Sequence, residues 1–364
     1  MTLDVAFLGY RFMGRAHANA LARLPMFFPD APETDRHTLV GRDEAALADA
    51  RERLGFDRVA TDWRDVVDDV DVFYNLGPNF LHVEPTVAAL EADTHVLCEK
   101  PLAPTVAGAE AVAAAAEASD AVAGTAFNYR FVPALRYAKR LVDAGELGEI
   151  RQVNGRYLQD WLVDADAPWT WRLDEELAGA GALGDLGAHT VDLVRYLVAD
   201  VESVSGHLRT FVDERETAGG ETKRVTVDDA YSAQADLANG AMATLEASRV
   251  AAGHENDHAV ELHGTEGSLR FSLERLNELE LMRAGDRGYE TILVTGGDDP
   301  YAEHWWPPGH VLGWEHAVVH ENYEFLSAVA GDGDFRPSVA DGLAVQRVLA
   351  AVEASDERRE WVDV

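Results

Sequence analysis

The chain has 364 residues, of which 65 are acidic and 31 are basic, giving a formal net charge of −34. This length exceeds that of an ordinary single domain and predicts two domains, each able to bury a core of its own. Such a negative charge would repel a phosphate backbone and an anionic membrane surface, which argues against nucleic acid and membrane partners.

Composition also indicates the environment of the protein. The only lysines are Lys100, Lys139 and Lys223, and an acid-rich, lysine-poor surface is what the salty cytoplasm of a halophile would favour. Cys98 is the single cysteine, so no internal disulfide can form, and no stretch has the ~20 apolar residues that span a bilayer. The N-terminus enters an apolar strand without the basic region of a secretory signal. We therefore expect a cytoplasmic protein.

The N-terminal third alternates short apolar runs with helical segments. Strands are predicted at 5–8, 39–40, 70–76, 95–98 and 121–126, and helices at 14–24, 44–54, 83–91 and 106–118. Such alternation predicts a parallel, doubly wound sheet, the Rossmann arrangement. The pattern changes near Asn128, so we place a dinucleotide-binding domain at residues 1–126.

The remainder, residues 127–364, predicts a second α/β domain with a mostly antiparallel, open sheet. Its strands are predicted at 151–157, 203–212, 231–237, 241–247, 258–262 and 268–272, and its helices at 133–144, from 187, at 315–330 and at 339–355. Residues 217–222 and 296–308 carry turn residues without periodicity and are predicted to be surface loops.

The first strand leads into a glycine-containing turn. Gly9 and Gly14, between the strand and the helix start, would let the backbone approach a pyrophosphate that faces the helix N-terminus. Arg11 stands where the middle glycine of G-x-G-x-x-G belongs, and its side chain would either obstruct the phosphates or clamp them. The simpler alternative is that Gly9 only ends the strand.

The second strand ends without the acidic residue that usually binds the adenosine ribose. Gly41 and Arg42 follow Leu39-Val40, and the combination of room and a cation favours a 2'-phosphate, hence NADP over NAD. Asp43 offers the opposite interpretation if it turns inward, and Arg42 could simply be solvated at a helix entrance.

Two further segments contain candidate catalytic residues. Lys100 follows a predicted parallel strand at its carboxyl end, where ligands of open α/β sheets bind. Asp185 and His189 are four residues apart, so one helix face would hold a carboxylate beside an imidazole. The alternatives are a helix-capping Asp with a core His, or a metal pair. Because neither H-E-x-x-H nor a cysteine cluster is present, no metal is expected.

In order along the chain, GYRFMGRAH, NLGPNFLH, CEKPL and GALGDLGAHTVDL resemble the motifs of the Gfo/Idh/MocA oxidoreductases. The segments at 157–161, 171–172 and 305–310 resemble most the levoglucosan dehydrogenase-like branch of this family. The resemblance implies a Rossmann domain, then an α/β domain whose open sheet supports a homodimer or homotetramer, with the active site in the cleft between them.

The resemblance also implies roles for single residues. The catalytic set is Lys100, whose peptide bond to Pro101 is often cis in the family, with Asp185 and His189. Substrate contacts are implied for Tyr129, Gln159 and Arg172, and the flat ring of Trp161 could contact the C–H groups of a pyranose. The cofactor-binding set is Gly9, Arg11, Phe12, Met13, Gly14, Gly41, Arg42, Leu76, Pro78, Asn79, His82, Glu99 and Lys100. Arg11 and Gly41-Arg42 depart from the family pattern and put its NAD preference in doubt.

These features together predict an NAD(P)-dependent oxidoreductase that moves a hydride between the nicotinamide and a hydroxyl carbon of a sugar or polyol. His189, oriented by Asp185, would remove the hydroxyl proton, while Lys100 polarises the same oxygen or is itself the base. Two rivals remain open. One is an NAD-dependent glycoside hydrolase acting by oxidation and elimination, and the other is a non-catalytic dinucleotide sensor.

Overall fold

The computed structural model describes residues 2–364, which divide into two compact units. One unit contains the chain up to Asn128 together with Trp314–Ala344, and the other contains Tyr129–Gly313 and Val345–Val364. The predicted range of 127–364 for a second domain therefore differs from the structure, because residues 314–344 return to the first unit. Within residues 2–364, no helix has the length and apolar character needed to cross a membrane.

The first unit is built on a six-stranded parallel sheet in the order β3-β2-β1-β4-β5-β6. Its strands are β1 (Leu3–Leu8), β2 (Thr34–Val40), β3 (Arg58–Ala60), β4 (Val72–Asn75), β5 (His95–Glu99) and β6 (Ala123–Ala126). Strand β4 is buried along its whole length, as expected when helices cover both faces of a parallel sheet. The predicted doubly wound sheet is confirmed.

Four helices connect these strands: α1 (Phe12–Phe27), α2 (Glu44–Leu54), α3 (Val83–Glu91) and α4 (Val106–Ala118). Local chemistry sets their ends. The Asp43 side chain accepts a hydrogen bond from the amide of Ala46 at the start of α2, and Gly55, with φ of 73°, ends the same helix.

The second unit contains a nine-stranded sheet in the order β16-β15-β14-β13-β7-β12-β11-β8-β17. Its strands are β7 (Ile150–Leu158), β8 (Val201–Arg209), β11 (Ala230–Leu237), β12 (Met242–Ser248), β13 (Asp257–Gly264), β14 (Gly267–Ser272), β15 (Glu278–Arg283), β16 (Glu290–Leu293) and β17 (Val362–Asp363). Only the β7–β12 pair is parallel, so the predicted, mostly antiparallel sheet is confirmed.

Three helices and one hairpin complete the part of this unit that precedes residue 314. The helices are α5 (Pro133–Asp143), α6 (Glu175–Ala178) and α7 (Ala188–Leu197), and a π-helical turn, Leu183–Gly187, leads into α7. The loop predicted at 217–222 is largely the turn of a hairpin between β9 (Glu214–Glu216) and β10 (Thr222–Arg224).

Two C-terminal helices follow, α8 (Trp314–Val329) and α9 (Val339–Arg358). Helix α8 packs along α1, where the rings of Phe12 and Trp314 stack at 5.3 Å. The amide of Thr125, in β6, donates to the carbonyl of Pro337 at 3.1 Å. These long-range contacts explain why residues 314–344 belong to the first unit, although no local sequence pattern indicates it.

Candidate active site

The turn after β1 is closed tightly by two glycines. Gly9 has φ of +111°, and a Cβ there would lie 2.5 Å from the carbonyl oxygen of Leu76. A Cβ on Gly14 would lie 2.5 Å from the carbonyl oxygen of Gly9. Neither position has space for a side chain, and Gly9 also needs the left-handed region. The turn therefore passes directly against the end of β4 and the start of α1.

The N-terminus of α1 suits a phosphate group. Arg11 is its N-cap residue, is exposed and makes no capping hydrogen bond, and the first turn has no acidic residue. Side chains therefore leave the first amide groups of the helix available to an anionic ligand, which the helix dipole also favours. Phe12 is exposed and Met13 is half-buried beside it. The residues present fit a dinucleotide pyrophosphate.

The space expected beside Gly41 is occupied. A Cβ on Gly41 would lie 2.3 Å from Cε1 of Tyr10, so this glycine makes room for the Tyr10 ring and not for a ligand phosphate. Asp43 Oδ1 accepts from the amide of Ala46 at 3.1 Å, so this carboxylate caps α2. Arg42 is exposed, and only this residue still supports the interpretation of a 2'-phosphate site.

The segment after β5 carries Lys100, half-buried, in a cis peptide with Pro101. His82 supports this segment, since its Nδ1 lies 2.7 Å from the carbonyl oxygen of Pro101 and its Nε2 lies 3.0 Å from that of Gly77. Burial lowers the pKa of His82, which is fully enclosed. His82 therefore supports the protein main chain from a buried position. Pro78 and Asn79, at the turn after β4, are half-buried and keep some exposed surface.

A buried polar cluster lies under the same segment. Asn322 Nδ2 donates to the carbonyl of Val318 at 2.7 Å, which fixes the amide orientation because a carbonyl only accepts. The same nitrogen lies 2.9 Å from Nδ1 of His17, so that ring nitrogen is the acceptor. Nε2 of His17 then carries the proton and faces Glu99 Oε1 at 3.6 Å. Glu99 Oε2 accepts from the amide of Lys100 at 3.1 Å. The cluster thus hydrogen-bonds α1 to α8 and places the buried His17 close to Glu99, which binds the Lys100 amide.

In the second unit, Asp185 lies in the π-helical turn and His189 lies in the first turn of α7. The carboxylate of Asp228 accepts from the amides of Gly181 at 2.7 Å and Leu183 at 2.9 Å, which anchors the start of the turn. Burial raises the pKa of Asp228, and these hydrogen bonds act in the opposite direction. The simple α-helical face expected for Asp185 and His189 is therefore replaced by a wider turn that a buried carboxylate holds in place.

The carboxylate of Asp185 forms an ion pair that the sequence did not reveal. Asp185 Oδ2 lies 3.0 Å from Nη2 of Arg249, whose side chain is 1% exposed. Arg249 Nη1 also donates to the carbonyl of Arg172 at 3.2 Å, and its guanidinium lies 5.5 Å from the centre of the Trp161 ring. Trp161 is exposed, and the exposed Arg172 guanidinium lies 4.5 Å over the ring of Trp171.

His189 lies in a group of buried rings. Its ring centre is 4.7 Å from that of Tyr129 and 5.9 Å from that of Tyr157. Behind them, His258 stacks on Tyr157 at 4.6 Å with an interplanar angle of 15°. The Tyr129 and Tyr157 hydroxyls are 2.7 Å apart. Burial raises the pKa of the Tyr157 phenol well above its ordinary value, so the Tyr157 hydroxyl acts as a neutral hydrogen-bonding group.

A hydrogen-bond chain extends from these hydroxyls. The Tyr157 hydroxyl donates to Asn256 Oδ1 at 2.8 Å, and Gln159 Nε2 donates to the same oxygen at 2.8 Å. Tyr129 and Gln159, both expected from the sequence, are therefore linked through Tyr157 and Asn256, which were not. Tyr157 belongs to the recognised 157–161 segment and could have been found there, whereas nothing local marks Asn256, Arg249 or His258.

The expected site residues thus fall into two groups. Those expected to bind the cofactor, with Lys100, lie on the first unit, and Tyr129, Gln159, Trp161, Arg172, Asp185 and His189 lie on the second. Among residues 2–364, no three His, Cys, Asp or Glu side chains are grouped so as to hold a metal ion.

Two family models and several known proteins match this chain. Residues 3–127 match the oxidoreductase family with an NAD-binding Rossmann fold, and residues 135–270 match the GFO/IDH/MocA C-terminal domain. Levoglucosan dehydrogenase of Pseudarthrobacter phenanthrenivorans is 39% identical, with 100% of this chain and 98% of that protein covered. D-xylose 1-dehydrogenase (NADP(+)) of Haloarcula marismortui is 33% identical over 56% of this chain and 54% of that protein.

A solved structure of levoglucosan dehydrogenase in complex with NADH and levoglucosan is similar, with a TM-score of 0.97, 38% identity and full coverage of both chains. The fold and these matches define a two-domain, NAD-binding oxidoreductase. The chain belongs to the Gfo/Idh/MocA family.

Proposed function

We propose that this protein is an NAD(P)-dependent dehydrogenase that oxidises a secondary hydroxyl of a sugar or polyol, with anhydropyranoses such as levoglucosan as the first class to test. One observation carries the proposal. The imidazole of His189 lies beside the rings of Tyr129 and Tyr157, whose hydroxyls are hydrogen-bonded to each other, in a unit that also holds the Gln159 amide and the exposed Trp161 ring. Neutral hydrogen-bonding groups next to an aromatic face suit the hydroxyls and C–H groups of a pyranose.

In the proposed reaction, His189 accepts the proton of the reacting hydroxyl, and Asp185 supports the imidazolium that forms. Lys100 polarises the substrate oxygen or is the proton acceptor in place of His189. A bound nicotinamide supplies the hydride acceptor. The turn from Gly9 to Gly14 binds the pyrophosphate of the dinucleotide, with Arg11 as a clamp on it. Tyr129, Gln159, Trp161 and Arg172 bind the substrate.

For the cofactor, we propose NADP in preference to NAD, on the basis of the exposed Arg42 at the end of β2. A guanidinium at this position would bind the 2'-phosphate by charge-assisted hydrogen bonds. Replacing Arg42 with Ala should then weaken NADPH binding by about 10-fold or more and leave NADH binding nearly unchanged. Equal losses for both cofactors would remove this basis for the preference.

We further propose a homodimer or homotetramer formed through the open face of the nine-stranded sheet. Residues on this face include Arg156, Arg270, Glu261 and Glu280, around a concavity of about 390 Å³. The charged side chains of this face can form ion pairs with those of another subunit.

For the location of the protein, we propose a reducing, high-salt cytoplasm. The acidic, lysine-poor composition and the single, buried Cys98 support this proposal.

The test is to measure NADPH and NADH binding by fluorescence in molar potassium chloride, and then absorbance at about 340 nm with anhydrosugars, aldoses and inositols. Sugar-dependent reduction of the cofactor is the expected result. K100M and H189N should each lower kcat by about two to four orders of magnitude. Sugar release from glycosides without net reduction would instead indicate the hydrolase, and binding without any turnover would indicate the sensor.

A further inference from the structure

Arg249 lies just after β12 and is a large, fully buried side chain, with 1% of its side chain exposed. It contacts three separate parts of the proposed substrate site. Its Nη2 lies 3.0 Å from Asp185 Oδ2, its Nη1 lies 3.2 Å from the carbonyl oxygen of Arg172, and its guanidinium lies under the ring of Trp161. One buried cation therefore joins the π-helical turn, the segment around Arg172 and the exposed aromatic ring.

A guanidinium removed from water needs an anionic partner, because the charge loses its hydration on burial. Asp185 supplies that partner at hydrogen-bond distance. The nearby Asp228 carboxylate also interacts with the Arg249 charge, but its two oxygens already accept from the amides of Gly181 and Leu183. Arg249 Nε is buried without a hydrogen-bond partner. The contact to Asp185 thus gives the buried charge of Arg249 a carboxylate partner at 3.0 Å.

The carboxylate of Asp185 is still 27% exposed on its side chain, although one oxygen is held by a buried cation. It can therefore interact with a bound ligand from a fixed position. Arg215 offers a useful contrast in the same unit. Its side chain is also buried, but it donates to main-chain carbonyls of residues 162–167, and no carboxylate within residues 2–364 pairs with it.

We propose that Arg249 is a positioning residue for the dehydrogenase reaction, holding the Asp185 carboxylate in the geometry that the substrate requires. This inference rests on the proposed function and adds a residue to it. Arg249 acts through Asp185 and does not itself exchange a proton. The consequence is that removing Arg249 and removing Asp185 should damage turnover by the same route.

The test uses the full-length protein and the variants R249M, R249K, D185N and R249M/D185N, with R215M and R215M/D185N as matched controls. R249M should lower kcat for the sugar by about 10- to 100-fold, the size expected when a reacting group is displaced. The KM for the cofactor should stay within about twofold, because the cofactor-binding residues are on the other unit. R249K, which keeps the charge, should recover part of kcat.

The double variant decides between positioning and general structure. R249M/D185N should be no slower than D185N alone, whereas the R215M and D185N effects should multiply. Multiplying effects of R249M and D185N, or a kcat for R249M within twofold of the wild type, would overturn the inference. If R249M does not fold, the kcat values of R249K and R249M/D185N are compared with that of D185N instead. The double variant lacks the Asp185 carboxylate that R249M alone would leave without its arginine.

Failure of the proposed function can be distinguished from failure of the inference about Arg249. A wild-type protein that reduces no cofactor with any sugar refutes the dehydrogenase, and thermal unfolding of the same variants then tests the ion pair alone. D185N and R249M should each lower the melting temperature, and the double variant should lose less than the sum. Additive losses would show that Arg249 does not hold Asp185.

Discussion

His258 gives the sharpest prediction about stability. Its ring lies in β13 with no exposed surface, and neither ring nitrogen has a hydrogen-bond partner. Burial lowers the pKa of His258 from 6.5 to about 3, and the adjacent Asp257 only partly opposes this change. The folded protein therefore keeps this imidazole neutral at any pH where the protein is handled.

The sign of the pH dependence follows from proton linkage. Between the folded pKa of about 3 and the unfolded value of 6.5, the unfolded chain binds a proton at His258 that the folded chain does not. Acid therefore favours unfolding, by about 1.4 kcal/mol for each pH unit below 6.5, or about 2 kcal/mol at pH 5. Replacing His258 with Phe removes this contribution and breaks no hydrogen bond of the ring.

The measurement is urea unfolding in constant molar potassium chloride at several values between about pH 7.5 and pH 5. The free energy of unfolding of H258F should change less with pH than that of the wild type, so that H258F gains about 2 kcal/mol on the wild type by about pH 5. H263F is the control, since His263 is on the same strand but 34% exposed on its side chain. Parallel pH profiles for the wild type and H258F would refute the reasoning.

Three further predictions concern the supports of the site and the surface. A Cβ on Gly181 would lie 1.8 Å from the carbonyl oxygen of Asp228, so G181A should cost about 1–3 kcal/mol in urea unfolding and lower kcat. G288A is the control and should leave kcat unchanged, because a Cβ on Gly288 meets no atom within 4 Å. N322L removes the donor to His17 and should cost about 2–4 kcal/mol, measured in the same way, with a loss of kcat through the Lys100 segment. Salt screens the repulsion among the acidic side chains that give the protein its net charge of −34. The thermal unfolding midpoint should therefore rise as potassium chloride increases from about 0.1 M to about 2 M. A flat or falling midpoint would argue against adaptation to high salt.

The helices of the first unit show what a sequence can specify locally. The bounds of α2, α3 and α4 agree with the predicted 44–54, 83–91 and 106–118. Asp43 and Thr105 cap the first and last of these helices with side-chain hydrogen bonds, and such caps are visible in the sequence. The short strand β3 was missed because its three residues are too few for a pattern, and two of them are exposed.

The return of residues 314–344 to the first unit could not be predicted. Helix α8 was expected at 315–330, but its partner was not, since Asn322 and His17 are 305 positions apart. The same limit affected the cofactor site. Gly41 suggested open space, and only the fold shows that the Tyr10 ring fills it. A glycine in a sequence indicates that a side chain is excluded, without indicating what excludes it.

The π-helical turn that carries Asp185 illustrates the same limit at the substrate site. Spacing placed Asp185 and His189 on one helix face, but the turn from Leu183 to Gly187 is wider than an α-helical turn. A Cβ on Gly187 would lie 2.6 Å from Cε1 of Tyr231, so close packing against β11 also constrains this turn. An irregular turn costs stability and persists only where its surroundings fix it. Here Asp228 anchors the start of the turn, and Arg249 pairs with the carboxylate of Asp185. Asp228 lies just before β11, and Arg249 lies just after β12. The residues that place Asp185 are therefore separated from it in sequence by more than forty positions, beyond the reach of any local pattern.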